Sequence, residues 1–182
     1  MTAWKLPVLA RTVALTVALL TAASCSSGDT PEGVAKGLIE GELASQLGLG
    51  EITATCEAPQ NKDAGTTFKC TSPTDLGEIS WLGTMTDNDT VSVDSINVLR
   101  ADILPDLEAA IVAKLEENAQ GATLGVENFD CGEKTVVLAA DNSMICTLTD
   151  PVASSDVYDA TVTITDMENL GFEVVVATEP RS

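Results

Sequence analysis

After residue 30 the chain switches between two hydrophobic periods. Val34, Leu38, Ile39, Leu43 and Leu47 recur at a spacing of three to five, which predicts a helix with a broad apolar side. Asp29-Thr30-Pro31-Glu32 reads as its start, with a capping residue, proline in the first turn and an acid near the N-terminus, and Gly48 and Gly50 read as its end. Gly37 and Gly41 lie inside it, and each costs up to about 1 kcal/mol relative to alanine. Packing on a sheet, with close approach at those glycines, is therefore expected to hold this helix. The period then becomes two. Ile52, Ala54 and Cys56 alternate, a polar turn runs from Pro59 to Gly65, and Thr66, Phe68 and Cys70 alternate again, which predicts a hairpin with a cysteine in each arm. Ile79, Trp81, Gly83 and Met85 form one face of a third strand, and Val91, Val93, Ile96 and Val98 predict a fourth. The broken spacing between Val93 and Ile96 marks a bulge or an early strand end.

At Asp102 the same order restarts. Ile103-Leu104-Pro105-Asp106 opens a second helix with Leu107, Ile111 and Leu115 on one stripe, and Asn118-Ala119-Gln120-Gly121 closes it. Val126, Phe129 and Cys131 lead a strand. Val136 to Ala139 precede the turn Asp141-Asn142-Ser143, and Met144, Cys146 and Leu148 follow it. Tyr158, Ala160, Val162 and Ile164 alternate, and Phe172, Val174 and Val176 close the series. Pro31 and Pro105, Cys56 and Cys131, and Cys70 and Cys146 are separated by 74, 75 and 76 positions. A steady offset of this kind reports one supersecondary unit used twice. The expected fold is α+β: two tandem units, residues 31–100 and 101–178, each one helix packed on a four-stranded antiparallel sheet with one disulfide, and a tail at 179–182.

Residues 1–24 carry a different pattern. Lys5 and Arg11 are followed by the apolar run Val13 to Leu20 and the small residues Thr21-Ala22-Ala23-Ser24, the three parts of an export signal too short for a comfortable membrane span. Those small residues before Cys25, with Ser26-Ser27-Gly28-Asp29 after it, resemble the lipobox of bacterial lipoproteins, although Ala22 stands where Leu, Val or Ile is usual. The resemblance implies acylation of Cys25, a short acylated tether over 25–30, and attachment to the membrane through N-terminal acyl chains. The cysteine count agrees: of five cysteines, acylation of Cys25 leaves four that can pair. Of their three connectivities, the repeat selects Cys56 with Cys70 and Cys131 with Cys146. A four-thiolate zinc site needs closer pairs than these spacings provide.

Without residues 1–24 the chain keeps seven of its nine basic residues and all 28 acidic ones, a net charge of −21 over 158 residues. Such a surface repels phosphate backbones and anionic lipid heads, which excludes nucleic acid as an expected partner.

The run Cys56-x13-Cys70 with Gly65-Thr66-Thr67-Phe68-Lys69-Cys70, after a helix and before two alternating strands, resembles a family of domains of unknown function common in actinobacterial secreted and lipid-anchored proteins. The match covers roughly residues 31–100; in the second half Asp141-Asn142-Ser143-Met144-Ile145-Cys146 replaces the glycine and the phenylalanine. The resemblance implies location and architecture, and it carries no activity and no functional residues. A looser likeness is to the secreted beta-lactamase inhibitor proteins, which grip an enzyme with a concave sheet lined by aromatics. Here only Phe68, Trp81, Phe129, Tyr158 and Phe172 remain after residue 24.

Catalytic material is thin. There is no histidine, no phosphate-binding glycine loop, and no free thiol once the cysteines pair, so acid–base chemistry would fall to carboxylates such as Asp87 and Asp89 in a turn where solvent is expected to keep them near their ordinary pKa. Asp87-Asn88-Asp89-Thr90 lacks the glycine and the distant glutamate of a calcium loop. No cofactor or metal is expected. Trp81 and Tyr158, eleven and twelve residues after their cysteines, are the candidate binding residues, although their strand phase places both under a helix. The function expected is a non-catalytic binding or scaffold module on the outer face of a bacterial cell membrane, engaging an envelope protein or a cell-wall ligand; the alternatives are an inhibitor of a secreted enzyme and a small hydrolase.

Overall fold

A computed structural model describes residues 23–24, 30–118, 124–153, 156–167 and 169–181. Helix α1 (Pro31–Leu38) begins where Thr30 Oγ1 accepts the N–H of Gly33 at 3.3 Å and Pro31 occupies the first turn. It widens into a π-helical turn (Ile39–Leu43) and finishes as α2 (Ala44–Gln46). The buried residues explain the widening. Pro31, Ala35, Ile39 and Ala44 are separated by four, four and five residues, and a π turn, in which the Ala44 N–H reaches Ile39 O, keeps the last of them on the covered side. The expected close approach at Gly37 and Gly41 does not occur: a Cβ at either position meets nothing within 4 Å. Their side of the helix faces open space.

The first sheet is an antiparallel meander of β2 (Thr55–Cys56), β3 (Thr67–Thr74), β4 (Gly77–Asp87) and β5 (Thr90–Ser95), with β1 (Ala23–Ser24) laid on the outer edge of β5. That short strand comes from the stretch read as signal, and it pairs Ala23 with Val91 and Ser24 with Thr90. Phe68, Ile79, Trp81, Met85, Val91 and Val93 point inward and form one core with Ala35 and Ile39. Phe68 pairs with Gly83, and its ring takes the space a side chain there would need: a Cβ at Gly83 would lie 2.5 Å from Phe68 Cζ. The indole of Trp81, 1 % exposed, donates its N–H to Ser72 Oγ at 3.1 Å, so the one fully buried hydroxyl of this core has a partner.

Of the two readings of the Val93–Ile96 break, the structure adopts the strand end. The chain leaves the first sheet after Ser95, and the short β6 (Val98–Leu99) pairs antiparallel with β8 (Val136–Val137), matching Val98 to Val137 and Leu99 to Val136. A 3-10 turn (Ala101–Ile103) leads into α3 (Leu104–Asn118), whose Leu104, Leu107, Ile111 and Val112 are buried; residues 119–121, expected to close it, lie outside the described residues. Val126 belongs to a 3-10 turn (Val126–Asn128), so β7 is only Phe129–Asp130. With β9 (Ser143–Thr149), β10 (Val157–Asp166) and β11 (Gly171–Val176) it forms the second antiparallel sheet, ordered β11-β10-β9-β7. Its core joins the α3 residues to Phe129, Met144, Cys146, Ala160, Val162 and Ile164.

Cys56 is bonded to Cys70 and Cys131 to Cys146, the first bridge joining β2 to β3 and the second joining the residue after β7 to β9, with Cα atoms 4.0 and 4.3 Å apart. Two such bridges place the folded chain in an oxidising compartment outside the reducing cytoplasm. Among the described residues no helix is long and apolar enough to cross a membrane.

Candidate functional site

The two sheets meet along the β6–β8 ladder, and one side chain knits the junction. Asn97 Oδ1 accepts the N–H of Ser80 at 2.8 Å, its Nδ2 donates to Glu78 O at 3.0 Å, and its backbone oxygen accepts the N–H of Leu138 at 2.8 Å. Thr135 adds a hydroxyl donated to Leu47 O at 2.9 Å. A groove of about 610 Å³ runs beside this junction, with Val137, Leu138 and Met144 among its apolar walls and the half-exposed Leu76 and Ile145 at its mouth.

The outer face of the second sheet is exposed, with Asp130 and Asp159, the latter paired with Arg181, to one side of its centre and Glu173 to the other. Strand alternation turns Ile145, Thr161 and Val175 outward, and the ladders set them side by side in one row, with Ser143, Thr163 and Glu173 in the next. Ile145 is 57 % exposed and Val175 69 %, so two large apolar side chains flank a threonine on a face that no helix among the described residues covers. Periodicity alone named the inward residues of these strands. Ile145 and Val175 fall between those positions, and the signal that marks them in the sequence is an apolar residue out of phase with the alternation of its strand.

The expected aromatic pair does not come together as a surface. Trp81 is a core residue held by Ser72, and it pairs across the ladder with Cys70. The residue paired with Cys146 is Ala160; Tyr158 lies two residues earlier, opposite Leu148, and is partly exposed. The two aromatics are therefore not register equivalents, and only Tyr158 reaches solvent. Cys25, the expected acylation site, lies outside the described residues.

The carboxylates at the turns serve the backbone. Asp87 accepts the Asp89 N–H at 2.9 Å and the Thr90 hydroxyl at 2.9 Å, and these bonds hold its carboxyl below the ordinary aspartate value, where a solvent-governed value had been expected. Asp141 is lowered first by the hydroxyl and then by the N–H of Ser143, and Asp150 by the N–H groups of Ala153 and Val152. Each is fully ionised near neutrality and occupied in closing its own turn. Glutamates tie helix to sheet in the same manner. Glu40 Oε1 accepts the Ala54 N–H at 2.8 Å, and Glu108 Oε1 the Cys131 N–H at 2.7 Å. Among the described residues no three metal-ligating side chains converge.

Compared with family models, with curated proteins and with solved structures, the chain matches none.

Proposed function

We propose that the chain is a lipid-anchored, non-catalytic binding module of a bacterial cell envelope, built as two related units, and that it takes a protein partner on the outer face of its second sheet. The observation that carries this reading is the row Ile145–Thr161–Val175, an exposed apolar strip on a chain otherwise rich in acid. The relationship of the units is supported by their common order: in each sheet a short strand, with a cysteine at its last residue or the one after, is tied by a disulfide to the first of three longer antiparallel strands, behind a single helical segment. The anchor is supported by the small residues before Cys25 and by the pairing of the other four cysteines. The turn carboxylates, engaged with backbone N–H groups, support a role without catalysis.

The test is crosslinking of the anchored protein in intact cells, with capture compared between the wild type and an Ile145→Asp, Val175→Asp double variant. Loss of one dominant partner from the variant, with the fold retained, supports the reading; equal capture by both sinks it. A captured enzyme whose activity falls at stoichiometric dose makes the module an inhibitor. The anchor has its own test: labelled palmitate that stays with a Cys25→Ala protein removes Cys25 as its site.

A further inference from the structure

Strand edges are where a sheet recruits another chain, and proteins usually guard them. Four edges bound the two sheets. The edge strands β2 and β7 are two residues long, and a disulfide ties down β2 at Cys56 and the chain just after β7 at Cys131. At β11 the backbone oxygen of Phe172 accepts a bond from Lys114 Nζ at 3.2 Å, and the same ammonium sits 5.0 Å from the Phe172 ring centroid, so a buttressing cation occupies one end of that edge. The fourth edge, β5, is six residues long and already carries a strand, the chain's own Ala23–Ser24.

The backbone of β5 is oriented for this. Met85 exchanges bonds with Gly65 and Thr66, on the β3 side, and Ser80 O accepts the N–H of Ile96 on the β5 side. By the alternation of an antiparallel ladder, the N–H and C=O groups of Val91, Val93 and Ser95, opposite Met85, Gly83 and Trp81, turn away from β4 toward the edge. Cleavage before Cys25 removes Ala23 and Ser24 and leaves those groups open. The charge around them has one sign: Asp87 and Asp89 lie at the start of β5 and Asp94 is exposed on its outer face, while the basic side chain in that row, Lys69, is two strands away.

The geometry points to the β5 edge as a strand-addition site in the processed chain, whose occupant is an extended segment of a positively charged protein. The inference rests on the lipid anchor at Cys25 proposed above, which entails cleavage before that residue, and it adds a site separate from the outer face of the second sheet. Backbone bonding supplies the attachment and the aspartates select the partner. A second copy of this chain is disfavoured as occupant, because two acidic bodies would meet along the shared edge.

The experiment uses the processed protein purified in detergent from cells producing the full chain, with its intact mass recorded first. Residue-level hydrogen exchange is then followed with a peptide of Leu20 to Ser24 between two pairs of lysines, and with a control carrying glutamates instead. The lysine peptide is expected to slow exchange at Val91, Val93 and Ser95 by about tenfold, an effect lost at high salt and with the glutamate peptide. Asp94→Lys, an exposed change that leaves the ladder intact, is expected to weaken the lysine peptide by about threefold. Protection elsewhere, or equal protection by both peptides, overturns the proposal. Slow exchange of those amides without peptide, deepening with protein concentration, gives the edge to a second copy and also overturns it. A mass that retains Ala23 and Ser24 instead removes the cleavage on which it rests.

Discussion

Val98 and Leu99 are neighbours in the chain and are buried in different cores, Val98 in the first and Leu99, with no exposed surface, in the second. Their ladder partners divide the same way, Val137 packing on the first core and Val136 on the second. Strand alternation thus makes a two-residue ladder the shared wall of both cores. Leu99→Ala should cost about 2–5 kcal/mol, as for other buried leucines, and should lower the stability of both halves together. Calorimetry should show a single transition for the wild type. Asn97→Ala, which strips the side-chain bonds to the Ser80 N–H and to the Glu78 and Leu138 oxygens and leaves the backbone bond to the Leu138 N–H, should broaden it or split it in two.

The same glycine-to-alanine change should have opposite signs at two places. At Gly83 the new methyl meets the Phe68 ring, which is itself packed in the core, and the overpacking should destabilise by about 1–3 kcal/mol. At Gly37 the methyl enters open space on a helix, and the gain in helix propensity should stabilise by about 0.5–1 kcal/mol. Urea midpoints of the two variants, with unchanged slopes, check both signs.

Trp81 was legible in the sequence as a core residue by its strand phase, shared with Ile79 and Met85. Its partner Ser72 was not, because Ser72 stands on a neighbouring strand and only the register brings it to the indole. The same limit explains the junction. Alternation shows a break between Val93 and Ile96, and no local pattern reveals that Val98 and Leu99 pair with Val137 and Val136, far along the chain. The disulfides were legible because cysteine parity and a steady repeat offset are counting arguments. The exposed row on the second sheet was not, since it needs three strands in register. Ser72→Ala tests the pairing directly: with the indole N–H left buried and unpaired it should cost about 1–3 kcal/mol, and Trp81→Phe in the same background should recover part of that loss.

Each disulfide closes a short loop, with cysteines 14 and 15 positions apart, and a loop of that size is worth about 3 kcal/mol in the chain-entropy model. Because the two cores share the β6–β8 wall, loss of either bridge should be felt across the molecule. Replacing Cys56 and Cys70 by alanine should lower the midpoint of the whole transition, not detach a melted first half, and so should replacing Cys131 and Cys146. Tryptophan fluorescence follows Trp81 in the first half and residue-level hydrogen exchange of the β9–β10 ladder follows the second; both should report loss of structure at the same denaturant concentration in both double variants.

Acid and salt should act on this protein through two opposing effects. Asp87, Asp141 and Asp150 have carboxyls held below their unfolded value by turn hydrogen bonds, so the stability they contribute is present above the unfolded pKa and is lost as pH falls through the lower folded values. Protonation also relieves the self-repulsion of a chain with 28 acidic residues against nine basic ones. At pH 7 the three turns are fully ionised and intact, so repulsion is the part that salt can change, and adding salt should raise the melting temperature. Below about pH 4 the repulsion has largely gone and the turn bonds are failing, so the melting temperature should fall with acid and salt should no longer restore it. Asp87→Asn keeps a side-chain acceptor for the Asp89 N–H but cannot titrate. Its melting temperature should therefore fall less steeply than that of the wild type between pH 4 and 2, and an equal slope would remove Asp87 from the acid transition.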